Sequence, residues 1–213
     1  MKEIDVNTWY RKEYFLFYKG FFSSLFSISL ETDVTQAYSF CKKNGFSFFI
    51  FCLYAFLKAA NEVPQFRHRL IDDRVYDMEV LAATTAIMLP DDPNHQFSTL
   101  ECPYFSTFKE FHREIKKLIK NIKGGVAPKD STQNLKGFVS LNYVPWFTFT
   151  ACDNAKRAPN QSLPLMTWGR FKEVNGKKIL PYAMQLTHMF IDGYHVGQFT
   201  QRLEDFFTYP EKI

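Results

Sequence analysis

The segment Gln185-Leu186-Thr187-His188-Met189-Phe190-Ile191-Asp192-Gly193 places a histidine near the end of an apolar run, followed four residues later by Asp-Gly. An imidazole has an ordinary pKa of about 6.5, so near neutral pH it can take a proton from a hydroxyl and return it within one turnover. A turn after a strand would project the ring into a cleft, and Gly193 would let the chain reverse into the next helix. On its own His-x-x-x-Asp-Gly is a weak signal, because a single histidine among apolar neighbours is more often a satisfied core residue. His68, His95 and His112 lack metal-ligand spacing, and no zinc site is implied. Cys41, Cys52, Cys102 and Cys152 form no C-x-x-C pair and are too sparse for a disulfide framework, which fits a reducing cytoplasm.

The elements that must position His188 follow from periodicity. Ile179 to Phe190 reads as a strand and Gly193 to Phe207 as a closing helix. Phe26 to Leu30 alternates as a half-buried strand does; Asp33 can cap a helix running to about Lys43, with Gly45 just past its end. A second helix is expected from Ser47 until Pro64, and strands over Glu79 to Leu89, before the turn signature Pro90-Asp91-Asp92-Pro93, and over Phe138 to Val144. Thr107-Phe108-Lys109-Glu110 has capping-box spacing and opens a helix that keeps its period until Gly124-Gly125. Strands and helices alternate in one expected domain spanning 1–213, which predicts an α/β two-layer sandwich, a mixed β-sheet packed against helices.

Composition excludes several classes of function. With 46% hydrophobic and 18% aromatic residues the 213-residue chain can bury a large core, so it is not a disordered segment. The apolar stretch Phe46 to Leu57 is too short for the roughly 20 residues that span a bilayer, and Met1 to Asp5 leads into no apolar run resembling a signal peptide. No membrane association and no export are expected. The net charge of +4 is modest, and Lys116, Lys117, Lys120 and Lys123 alternate with Ile115, Leu118, Ile119 and Ile122 as the solvated face of a helix, giving nucleic acid no purchase.

The run Met184 to Phe199 resembles the C-terminal signature of the chloramphenicol acetyltransferases, whose catalytic histidine falls on His188. At the other end, Trp9 to Tyr18 looks like that family's Trp-x-Arg-basic-Glu opening; Phe97 to Tyr104, Val144-Pro145-Trp146 and Leu163 to Thr167 match in type and order between them. The resemblance implies a homotrimer with active sites in the subunit interfaces, acetyl-CoA as cosubstrate, no bound cofactor and a small hydroxyl-bearing acceptor such as chloramphenicol. It makes His188 the general base and pairs Asp192 with Arg11 to stiffen the loop holding the imidazole. Thr167 would help stabilise the tetrahedral intermediate through water, Tyr18 and Phe97 would line the acceptor pocket, and Trp146 and Arg170 would contact CoA.

This sequence also departs from the pattern. Asn142 stands where the family has a serine that donates to the oxyanion, and Ser47 where a second cation for the CoA phosphate is usual. Ser140 shares a strand face with Asn142 but lies about 7 Å along it, too far for a simple exchange of roles. The asparagine amide is itself a donor able to serve an oxyanion. Two other readings stay open: a dihydrolipoamide acyltransferase-like core, which shares His-x-x-x-Asp-Gly but carries a lipoyl domain this chain is expected to lack, and a catalytically weakened trimer that binds a hydrophobic hydroxyl compound.

Overall fold

Helix α3 (Phe48–Glu62) shows why the most apolar stretch needs no membrane: in the computed structural model every residue from Ile50 to Leu57 is buried. Ser47 caps it, its hydroxyl accepting from the Ile50 amide at 3.4 Å. The structure describes residues 1–89, 94, 96–122, 135–155 and 161–213, and among these no helix is long and apolar enough to cross a membrane. The expected turn at 90–93, His95 and the stretch ending at Gly124-Gly125 lie outside them.

Around α3 lie α1 (Lys12–Lys19), α2 (Thr35–Asn44), α4 (Phe108–Lys120) and α5 (Gly193–Thr208). The strands are β1 (Lys2–Ile4), β2 (Leu25–Asp33), β3 (His68–Ile71), β4 (Arg74–Asp77), β5 (Ala82–Met88), β6 (Phe97–Cys102), β7 (Phe138–Val144), β8 (Leu165–Gly169), β9 (Lys172–Val174) and β10 (Lys177–Thr187). The main sheet runs β2-β10-β8-β7-β5-β6, with β9 added to β10, while β1-β4-β3 form a small antiparallel sheet. Among the described residues only β5–β7 and β7–β8 pair in parallel, so the main sheet is mixed, as expected.

Helices cover one face of this sheet. The rings of Trp168 and Tyr182 pack on Phe56 of α3, at centroid distances of 5.2 and 5.4 Å. Alternation then directs Thr167, its β10 neighbour Ala183 and its β7 neighbour Asn142 to the opposite face, together with Gln185.

Several boundaries differ from the sequence reading: β2 runs past Leu30 to Asp33, so Val34 rather than Asp33 is the N-cap of α2. β5 starts at Ala82, not Glu79, because Glu79 has φ +62°, a left-handed backbone that breaks an extended run. α4 ends at Lys120, where Asn121 caps it. β10 ends at Thr187, and His188 to Phe190 form a turn whose closing amides, Phe190 and Ile191, both donate to the Thr187 carbonyl, at 3.2 and 3.0 Å.

Candidate functional site

His188 is therefore presented by a tight turn rather than by the strand itself. Its amide donates to the Ser24 carbonyl at 2.8 Å, which ties the turn to the start of β2. Its ring lies between Tyr18, 4.6 Å away at 12°, and Phe26, 4.1 Å away at 26°. Burial between these rings lowers its pKa below the ordinary 6.5; Arg11 adds to the lowering, and Asp192 opposes both. The imidazole is thus neutral at pH 7. Nδ1 is enclosed beside the main chain of Ile191, so exchange with a bound molecule falls to Nε2.

Arg11, only 4% exposed, holds this turn with all three guanidinium nitrogens. Nε donates to the Met189 carbonyl and Nη2 to the His188 carbonyl, each at 3.1 Å, and Nη1 to Asp192 Oδ2 at 2.8 Å. The planar fork of arginine permits this geometry, whereas the single ammonium of lysine cannot reach three acceptors in fixed directions. Asp192 is also the N-cap of α5, its amide donating to His195 Nδ1 at 3.2 Å. His195 Nδ1 also lies 2.9 Å from Asp192 Oδ1, but that contact is an ion pair only in a protonated ring, and burial lowers the His195 pKa. Gly193 opens α5 with an ordinary backbone, and a Cβ there would meet nothing within one chain, so the reversal does not require glycine.

Beneath the turn, Phe190 stacks on Phe15 at 6.0 Å and 4°, and Trp9 and His68 meet it edge-on or tilted. His68, which lacks metal-ligand spacing in the sequence, has a packing role: burial brings its pKa down to about 4, so it acts as a neutral aromatic. Removing the clamp should be costly. Arg11→Met is expected to lower stability by about 1–3 kcal/mol, since it strands the His188 and Met189 carbonyls while the partly exposed Asp192 carboxylate regains water, and to reduce kcat more than KM, since it frees the turn that holds His188. Chemical denaturation and steady-state kinetics check this; a fully stable Arg11→Met protein with normal kcat contradicts it.

Asn142 and Thr167 are paired across β7 and β8, away from the helices. Asn142 Nδ2 donates to Ser140 Oγ at 3.2 Å, so the two residues separated along the strand are joined through their side chains. Thr167 Oγ1 donates to Asn154 Oδ1 at 3.2 Å. Gln185, 1% exposed, donates to Asp153 Oδ1 and to the Asn154 carbonyl, and Ser27 Oγ donates to Asp153 at 2.7 Å, fastening this loop to β10 and β2. Trp146 is 60% exposed just after β7, and Arg170 is exposed just after β8. A Cβ at Gly169 would meet the Phe147 carbonyl oxygen at 3.0 Å and the Phe149 ring at 3.1 Å, a close fit that favours glycine there. Phe97 begins β6, 45% exposed, and Ser47 donates its amide to His112 Nε2 at 3.0 Å.

The structure thus gathers His188, Arg11, Asp192 and Tyr18 in one place and Asn142 and Thr167 in another. Thr167 pairs with Ala183, and Thr187 lies four residues further along β10, about 13 Å away at strand rise. The faces differ as well: Phe26, which stacks on His188, pairs with Leu186 on the helix-covered side. One chain does not bring the base onto the Asn142–Thr167 pair. Among the described residues no group of His, Cys, Asp and Glu could hold a metal ion.

A family model described as chloramphenicol acetyltransferase matches residues 1–204. The chloramphenicol acetyltransferase of Bacillus pumilus is 27% identical over 205 residues, covering 95% of this chain and 91% of that protein. Chloramphenicol acetyltransferase 3 of Escherichia coli is 22% identical over 204 residues, covering 95% of each. A solved chloramphenicol acetyltransferase superposes with a TM-score of 0.91 at 31% identity, over 97% of this chain and 99% of that one. A truncated catalytic core of the 2-oxoacid dehydrogenase multienzyme complex from Thermoplasma acidophilum shares the fold at a TM-score of 0.65 and 16% identity, over 88% of each chain. The family model's match across residues 1–204, with the 31% identical structure, shows that the chain belongs to the chloramphenicol acetyltransferase family; the dihydrolipoamide acyltransferase reading is not favoured.

Proposed function

We propose that this chain is an acetyl-CoA-dependent O-acetyltransferase that acetylates a hydroxyl of chloramphenicol, with His188 as general base. The observation that carries this reading is the ring itself: neutral at pH 7, sandwiched by two aromatics, and held by a turn whose carbonyls are clamped by a buried arginine. Such a group can accept the acceptor's hydroxyl proton through Nε2 as the oxygen attacks the thioester carbonyl. The tetrahedral intermediate carries an oxyanion, which the amide of Asn142 and a water held by Thr167 stabilise. Collapse expels the CoA thiolate, and the imidazolium returns the proton to sulfur. The acetyl group passes directly between substrates, without an acyl-enzyme or a bound cofactor.

Acetyl-CoA is the cosubstrate, and exposed Arg170 and Trp146, close together after β8 and β7, supply a cation and an aromatic face for it. Tyr18 and Phe97 line the acceptor pocket, and four free cysteines suit a cytoplasmic setting. Because the base and the oxyanion pair lie apart within one chain, a neighbouring copy brings its Asn142 and Thr167 to His188, and the family resemblance implies that the working unit is a homotrimer. The uncovered aromatics Phe17, Phe21 and Phe22, exposed by 61, 45 and 92% beside Tyr18, fit a surface that a second copy covers.

Release of CoA thiol from acetyl-CoA with chloramphenicol as acceptor, combined with light scattering, tests both parts. Turnover by a particle of three 25.1 kDa chains is expected. An active monomer refutes the shared site, and a trimer that leaves chloramphenicol untouched refutes the acceptor.

A further inference from the structure

Asn154 stands out because its two amide atoms are treated so differently. Its Oδ1 accepts from Thr167 Oγ1 at 3.2 Å, while its Nδ2 is buried without any hydrogen-bond partner. A buried orphan donor works against stability, and an apolar side chain of similar size would avoid that cost. Yet the backbone here is anchored with care: the Asn154 carbonyl accepts from buried Gln185 at 3.4 Å, and the adjacent Asp153 accepts from both Gln185 and Ser27.

We infer that Asn154 is a positioning residue for acetyl transfer, acting through Thr167; the inference rests on the acetyltransferase reading above. A threonine hydroxyl has one hydrogen and two lone pairs. With the hydrogen committed to Asn154, Thr167 faces the site as an acceptor only. It therefore cannot donate to an oxyanion directly, but it can accept one hydrogen of a water and so aim the other at the oxyanion. Without Asn154 the hydroxyl turns toward Cys152, its other side-chain neighbour, or donates into the site, and the water loses its fixed orientation. Thr167 is 4% exposed, so no bulk solvent stands in for the missing acceptor.

The test uses the full chain with acetyl-CoA and chloramphenicol. Asn154→Leu is expected to lower kcat by about 3- to 10-fold, the factor a neutral hydrogen bond carries. KM for both substrates should be unchanged, and Tm should hold or rise as the orphan donor is removed. In a Thr167→Val background the same substitution should have no further effect on kcat, because its target hydroxyl is gone. An equal kcat loss in both backgrounds, or a lower Tm with normal kcat, overturns the inference. Wild-type turnover separates the two claims: an inactive wild type fails the acetyltransferase reading, whereas an active wild type with a normal Asn154→Leu variant rejects only the role of Asn154.

Discussion

Replacing His188 with alanine is expected to lower kcat by about 10²–10⁴, the contribution typical of a positioned acid–base group, in a protein that remains folded. The fold should survive because the turn is held by main-chain and arginine contacts rather than by the imidazole: the His188 amide still reaches Ser24, and its carbonyl still accepts from Arg11. The pH profile offers a separate check. The neutral ring is the base, and burial lowers its pKa below 6.5, so kcat/KM should be flat through neutral pH and fall only below 6.5, by about tenfold per unit once the ring is protonated. Asp192 raises this pKa, so Asp192→Asn should move the acid limb to still lower pH. Near-normal acetylation by a folded His188→Ala protein would falsify the base assignment, and an acid limb above 6.5 would contradict the burial argument.

The sequence made some elements plain and hid others for physical reasons. α3 and α4 were legible because each has a serine or threonine cap before a long apolar pattern, and β7 because Phe138 to Val144 is a short run of aromatic and aliphatic residues interrupted by Ser140 and Asn142 on one face. The small sheet β1-β4-β3 was not: strands of three or four residues have no measurable period. Its one clue was Asp72-Asp73, both at positive φ in the β3–β4 hairpin turn. β8 was likewise too short to read, although its register sets Thr167 opposite Asn142.

The site divided in the same way. His188 and Asp192 share a recognisable spacing that is weak on its own, and Arg11 was reached only through the family resemblance, but Asn154, Gln185 and His68 owe their places to contacts between distant segments that spacing cannot report. Ser140 is the instructive case. Its distance along the strand argued against a shared role with Asn142, yet an asparagine side chain reaches back along its own face, and the 3.2 Å bond closes the gap.

That bond sharpens the second large effect, at Asn142. The amide has two N–H groups, and with Nδ2 anchored to Ser140 one remains to serve an oxyanion beside Thr167. If it does so, Asn142→Ala should reduce kcat by about 10²–10³ and change KM little, because the bond matters chiefly once negative charge develops on the carbonyl oxygen. Asn142→Ser keeps a donor at the position and should retain part of the rate. Ser140→Ala leaves the amide in place but removes its tether, so its kcat should fall between wild type and Asn142→Ala. A decayed site behaves in the opposite sense: Ala changes little, and Ser raises turnover from a low baseline. The comparison requires saturating acetyl-CoA and chloramphenicol, so that kcat reports the transfer step rather than binding. Equal kcat for the wild-type, Asn142→Ala and Asn142→Ser proteins rejects any oxyanion role for this residue and leaves Thr167, through its water, as the remaining candidate.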